Sequence, residues 1–282
     1  MSMTQHASAT AATLADGNAR LGIEFGSTRI KAVIVGGGET TLATGSASWE
    51  NRYVDQTWTY SLDAVWQGIQ EAYAVALADA ERRHGVRPTG FAAIGISAMM
   101  HGYLPFDKHG RQLVPFRTWR NTSTGRAAAE LTDLLEYNVP LRWSIAHLYQ
   151  AVLDDEPHLS ELDFCTTLAG YVHWQLTGRK VLGVGDASGM FPIDDISHDW
   201  DPGRLTKVDD LLARHHTTLR IEEVFPRPLD AGRAAGTLTI EGALLLDPSG
   251  RLEAGIPLCP PEGDAGTGMV ATNAVAPRTG NV

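Results

Sequence analysis

Two short segments near opposite ends of the chain carry residue types suited to phosphate chemistry. Near the start stands Leu21-Gly-Ile-Glu-Phe-Gly-Ser-Thr-Arg-Ile-Lys31, and near the finish Gly263-Asp264-Ala265-Gly266-Thr267-Gly268. Glycines let backbone amides approach phosphate oxygens, hydroxyls and a lysine can meet the same anion, and a carboxylate can hold a divalent metal or take a proton. The first segment reads as a strand, a tight Gly26-Ser27-Thr28 turn and a second strand. The second reads as a flexible loop presenting one acid. Together they suggest phosphoryl transfer; singly, each also reads as a plain hairpin turn or surface loop.

Three further clusters lie between them. Met99-Met100-His101-Gly102 follows an apolar strand, at the strand end where ligands approach a sheet. A lone His there also fits a structural role. Thr118-Trp119-Arg120-Asn121-Thr122 offers an aromatic face, a fixed cation and an amide in consecutive positions. That set suits a polyhydroxylated ligand, because an indole covers the C–H face of a sugar while Asn and Arg bond its hydroxyls. It equally suits a helix-entry loop with a packed Trp. Gly185-Asp186-Ala187-Ser188-Gly189 is a small-residue turn holding one acid.

The elements that must position these clusters follow from periodicity. Residues 21–25, 30–35 and a stretch within 41–49 read as neighbouring strands. Ser61 reads as a helix N-cap with Asp63 in the first turn, and Leu62, Val65, Trp66, Ile69, Tyr73, Ala76, Leu77 and Ala80 recur at helical spacing until Gly85. The apolar run 91–97 predicts a strand buried on both faces. Residues 103–106 and 112–116 predict a strand pair around Asp107-Lys-His-Gly110. Residues 123–176 read as mostly helical with breaks at Pro140 and Pro157, 183–201 as a loop with short strands, and 209–215 and 240–246 as short helices. Residues 1–18 lack the basic start and continuous apolar core of a secretion signal and are expected to form a disordered leader.

Composition bounds the partners. The chain has 282 residues, 43% hydrophobic and 20% charged, enough for one large domain or two small ones. Its 33 acidic and 23 basic residues give a net charge of -10 with the basic ones mostly scattered, which argues against nucleic acid or an anionic membrane. No apolar run is long enough to cross a bilayer. Cys165 and Cys259 lack the spacing of a metal or redox pair and are expected to be incidental thiols in a reducing cytoplasm.

The order of three neighbouring strands, a helix and a further strand resembles the ribonuclease-H-like core of the actin and sugar-kinase superfamily. With the five segments in this order, the chain resembles the N-terminal domain of the FGGY carbohydrate kinases, and within them the xylulokinase-like branch. The resemblance implies an α/β fold with a mixed sheet, flanking helices and a helical insertion, forming a sugar-binding domain over residues 19–282. It implies that ATP and Mg2+ meet a ketose or polyol in a cleft between two domains, with Asp264 taking the proton of the attacking hydroxyl. Met100, His101, Trp119, Arg120, Asn121 and Asp186 would hold the sugar. Gly26, Ser27, Thr28 and Lys31 would line the phosphate path, and Glu24 would serve the metal.

Three departures qualify the match. Glu24 stands where the family usually has Asp, one methylene shorter. Leu168-Ala169-Gly170-Tyr171 replaces a segment that often carries a charged sugar contact, and Met99 stands where Gln is common, which leaves the sugar open. The family's second, ATP-binding domain would begin near residues 277–282, so that half of the cleft is expected to lie outside this chain and the chain alone to be inactive or very weak. Apolar surface turned towards that half is expected to favour pairing of two copies. The alternative function is a non-catalytic sugar-binding or regulatory module derived from a kinase. An actin- or chaperone-like nucleotide switch is a third reading, which gives Met100-His101-Gly102 and Trp119 no role.

Overall fold

Alternation along the first strand decides which way its chemistry points. The computed structural model describes residues 3–274 and Ala276, with residues 3–7 described by their backbone alone; residues 277–282, where the second domain is expected to begin, lie outside them. In β1 (Arg20–Phe25) Leu21, Ile23 and Phe25 are buried, which turns Gly22 and Glu24 to the other face. The Gly26-Ser27-Thr28 turn leads into β2 (Arg29–Val35), which pairs antiparallel with β1 and with β3 (Thr41–Ser48). A helix, α1 (Met3–Ala15), precedes β1. This corrects the expected leader: alanines favour helix, and Leu14 is fully buried in the sheet's core.

After a small hairpin, β4 (Arg52–Val54) and β5 (Thr57–Thr59), comes α2 (Leu62–His84), capped as expected. The Ser61 hydroxyl accepts from the Ala64 amide at 3.2 Å, and Gly85 ends the helix at φ +71°. Gly45 of β3 lets α2 lie directly on the sheet, since a Cβ there would strike the Ala72 carbonyl and the Ala76 amide. Next, β6 (Ala93–Ala98) pairs parallel with β1. Only one face of β6 is fully buried, contrary to the expectation of two; Ala93, Gly95 and Ser97 remain half-exposed.

The middle of the chain holds the helical insertion. β7 (Leu104–Phe106) precedes α3 (Gly125–Leu135) and α4 (Ser144–Leu153), followed by β8 (Phe164–Thr166) and α5 (Leu168–Thr177). β7 pairs with β8, whereas residues 112–117 meet it only through the single bridges Tyr103–Arg117 and Phe106–Gln112. Pro115 lacks an amide donor, which disfavours the expected ladder there. β9 (Val181–Gly183), α6 (Val184–Ala187), α7 (Pro202–Arg214), α8 (Ile221–Val224), β10 (Arg227–Leu229) and α9 (Ile240–Leu246) complete this part. The helix expected at 209–215 is the later half of α7, which starts at the Asp201 cap with Pro202 in its first position.

The chain then returns to the sheet through β11 (Glu262–Gly263), giving the order β11-β6-β1-β2-β3, and enters α10 (Asp264–Ala271). The expected flexible loop at 263–268 is therefore a strand end and a helix start. One apolar core joins the sheet to α2, α5 and α9, and a second lies within the helical insertion. Among the described residues no helix is long and apolar enough to cross a membrane.

Candidate functional site

Strand register lines up four side chains across one face of the sheet. Glu24 of β1 is paired with Lys31 of β2 on one side and Ser97 of β6 on the other, and Ser97 is paired with Glu262 of β11. Directly paired residues share a face, so Lys31, Glu24, Ser97 and Glu262 form a row. They line a cavity of about 600 Å³ together with Asp264 and Thr267. Its floor includes Gly22 and Gly95, where side chains would otherwise fill the space. The Lys31 ammonium lies 3.0 Å from a Glu24 oxygen, with the two side chains 50% and 43% exposed. Such an exposed pair contributes at most about 1 kcal/mol and gives way readily to a ligand.

Asp264 opens α10 immediately after β11, so a sheet edge and a helix start fix its backbone together. One carboxylate oxygen accepts from the Met100 amide at 3.3 Å. Partial burial raises its carboxyl above the ordinary Asp range; amide donors from Met100 and Ala265 oppose this, and the Glu24 charge adds to it. Thr267, one turn into α10, meets the Ser97 hydroxyl at 2.8 Å and ties the helix back to β6.

His101 sits two residues beyond Met99 with its backbone at φ +70°, a conformation uncommon outside glycine. Its Nδ1 lies 3.1 Å from the Gly189 carbonyl, which can only accept, so Nδ1 carries the proton and Nε2 is left as an acceptor. Burial lowers its pKa and keeps the ring neutral, helped by the Arg142 charge and opposed by the Gly189 carbonyl. Gly189 has no room for a Cβ, which would lie 2.6 Å from that nitrogen.

The hairpin turn is held by aromatics. The Trp49 indole donates to the Gly26 carbonyl at 2.7 Å, Tyr60 donates to the Ser27 carbonyl at 2.7 Å, and the Trp49 amide donates to the Thr28 carbonyl at 3.2 Å. The two rings stack at 4.0 Å. With its carbonyls held inward, the turn exposes the Ser27 and Thr28 side chains.

Two expected sugar ligands are packed against protein partners. Asn121 is buried, its Oδ1 accepting from the Trp58 amide at 2.9 Å and its Nδ2 donating to the Trp58 and Thr118 carbonyls at 2.8 and 3.0 Å. It clamps the β4–β5 hairpin to the 118–121 loop. Asp186 is fully enclosed, where its carboxylate accepts from the Thr167 hydroxyl at 2.6 Å. Burial pushes its pKa up to about 8, with the Glu262 and Asp264 charges adding to the rise and the Thr167 bond opposing it. Trp119 stays 40% exposed, and the Arg120 guanidinium stacks on Trp58 at 3.8 Å. Met100, His101, Trp119 and Arg120 do not line the cavity; the Met100–Asp264 bond connects the His101 segment to it.

Ser97, Glu262 and Thr267 were not among the expected site residues. The alternation Gly95, Ser97 against Ile94, Ile96 was the legible sign for Ser97; Glu262 and Thr267 emerge only from long-range register. Among the described residues no three His, Cys, Asp or Glu side chains converge as a metal cage. Mg2+ does not require one, being held by one or two carboxylates, substrate phosphates and water. Glu24, on the cavity wall, fits that donor set.

The family model for the FGGY family of carbohydrate kinases, N-terminal domain, matches residues 19–268. A xylulose kinase from Haemophilus influenzae is 25% identical over 193 residues, covering 64% of this chain and 37% of that protein. A glycerol kinase from Thermococcus gammatolerans is 23% identical over 194 residues, covering 64% and 38%. The solved structure of a xyloylose kinase from Brucella ovis superposes with a TM-score of 0.77 at 19% identity, covering 92% of this chain and 51% of that one. The chain thus spans little more than a third of its curated relatives and about half of that solved neighbour. At such identity the superposition speaks for the fold, the actin and ribonuclease-H-like fold of sugar kinases. Fold and family match agree along nearly the whole described chain, which belongs to the FGGY family of carbohydrate kinases as its N-terminal domain.

Proposed function

We propose that this chain is the sugar-binding half of an ATP-dependent kinase acting on a ketose or polyol, with Asp264 as general base. The observation that carries the reading is the bond between the Asp264 carboxylate and the Met100 amide. It ties the acid to the residue that precedes His101, on the wall of the cavity that holds Lys31. The names of the relatives, xylulose kinase and glycerol kinase, support a small polyhydroxylated acceptor.

The chemistry is chiefly alignment and charge neutralisation. His101 offers Nε2 as acceptor to a sugar hydroxyl, and Trp119 offers its face to the C–H side of the ring, with Arg120 beside it. Asp264 orients the attacking hydroxyl and accepts its proton; the raised pKa strengthens it as a base. Lys31 and the Gly26-Ser27-Thr28 turn meet the transferred phosphate. Glu24 would help hold Mg2+, which when bound offsets phosphate charge.

The test has two parts. A panel of ketoses and polyols, D-xylulose and glycerol among them, should raise the melting temperature of this chain for at least one member. In the native gene product that carries the chain, Asp264→Asn should lower kcat about 10²- to 10⁴-fold while the sugar-induced shift persists. Unchanged turnover contradicts the role of Asp264. Sugar binding without turnover in the unaltered protein supports the binding module, and a shift with ATP but no sugar supports the nucleotide switch.

A further inference from the structure

We propose that Glu262 is a positioning residue for Asp264: its carboxylate clasps the main chain at Gly185 and Asp186 and so fixes the two-residue strand from which the base projects. The inference rests on Asp264 being the base. β11 has a ladder partner on one side, where Glu262 and Gly263 pair with Ser97 and Ala98. So short a strand is a weak anchor. On its other side a Gly183 amide donates to the Pro261 carbonyl at 2.8 Å, and the Glu262 side chain supplies the rest. One oxygen of that carboxylate accepts from the Asp186 amide at 3.0 Å.

Two glycines have a reason in this clasp. A Cβ on Gly183 would collide with the Glu262 carboxylate, and one on Gly185 would lie 2.5 Å from its Oε2. Neither glycine has a left-handed backbone, so room for the carboxylate is what their lack of a side chain provides. The tether passes on to the base. Gly263 packs so closely on Met100 that a Cβ there would strike Met100 Cγ, and the Met100 amide donates to Asp264. Displacing β11 therefore displaces the acid relative to the His101 segment. The Asp186 turn, which the buried Asp186–Thr167 bond holds in place, becomes the fixed point from which Asp264 is aimed.

The experiment compares Glu262→Ala, Glu262→Gln, Gly185→Ala and the Gly185→Ala/Glu262→Ala double variant in the native gene product, measuring kcat, sugar KM and melting temperature. Alanine at 262 removes the clasp. Glutamine keeps a carbonyl oxygen for the Asp186 amide. Alanine at 185 leaves Glu262 present but pushes its flexible carboxylate aside. Glu262→Ala and Gly185→Ala are each expected to lower kcat about 10- to 100-fold, the scale of a 1 Å misplacement, with sugar KM within about 3-fold. Glu262→Gln should stay within about 3-fold of native kcat, and the double variant should be no worse than either single one, because both remove one contact. Native kcat in Glu262→Ala, or losses that multiply in the double variant, overturn the proposal. Asp264→Asn separates it from the reading beneath: turnover surviving there defeats the base assignment, whereas an inactive Asp264→Asn beside a native-like Glu262→Ala defeats only the role of Glu262.

Discussion

The Asp264 carboxylate and the Met100 amide are joined by a hydrogen bond of 3.3 Å that crosses from a helix start to the end of the neighbouring parallel strand. Because partial burial and the Glu24 charge both raise the Asp264 carboxyl, its ionised form, the proposed base, is lost as pH falls through that raised value. The acid limb of kcat/KM should therefore lie above the ordinary Asp pKa of 3.8. Glu24→Gln removes one like charge and should move the limb to lower pH, whatever it does to the maximal rate. A pH–rate profile whose limb stays put in that variant contradicts the coupling.

Asp186 predicts a stability effect of definite sign. Its folded pKa of about 8 lies above the ordinary 3.8, so the folded state binds more protons than the unfolded state between those values. Stability contributed by this group is therefore full below the ordinary value and declines as pH rises towards the folded one. Asp186→Asn, which mimics the protonated acid, should melt less steeply with pH than the native chain from about pH 5 to about pH 8. Parallel melting curves across that range would remove the argument.

Gly95 forms part of the cavity floor, and a Cβ added there meets no atom within 4 Å. Valine favours a strand over glycine by up to about 1 kcal/mol, so Gly95→Val should hold or raise the melting temperature. Its side chain fills the space beside Glu24 and Ser97, and kcat/KM for ATP should fall at least about tenfold, the effect of 1.4 kcal/mol. Native kinetics from a folded Gly95→Val protein would show that the cavity is not used.

Asn121 and Trp119 should separate stability from recognition. Removing the Asn121 clamp takes the partner from the half-buried Trp58 amide, while the Trp58 carbonyl keeps the Thr118 amide, so Asn121→Ala should cost about 1–3 kcal/mol in urea unfolding and weaken sugar binding indirectly. Trp119 is exposed, and Trp119→Ala should leave unfolding within about 0.5 kcal/mol of native while weakening the sugar-dependent thermal shift. The reverse pattern would exchange their roles.

Local chemistry was the legible part of this chain. Ser61 and Gly85 bracket α2 because a hydroxyl cap and a left-handed glycine act within one turn, and the Gly26-Ser27-Thr28 hairpin follows from alternation on either side. Burial was not legible. Asp186 and Asn121 have residue types that suit a sugar, yet one is enclosed against Thr167 and the other satisfied by Trp58, partners far away in sequence. Glu262 is illegible for the same reason, since only the pairing of β11 with β6 brings it into the row with Lys31, Glu24 and Ser97. The turn at Asp264 resembled a loop because its three glycines disfavour helix, a preference outweighed by the ties of Asp264 to Met100 and Thr267 to Ser97.

Between Met99 and Leu104 the chain leaves the sheet's apolar core, enters the helical one at Tyr103, and returns. His101 is thus slung like a bridge deck between two separately founded piers. A lesion far inside the helical pier, such as a truncation of Leu148, can shift His101 through the span, so under the proposed function a loss of sugar affinity would be no guarantee that the altered residue lies near a ligand.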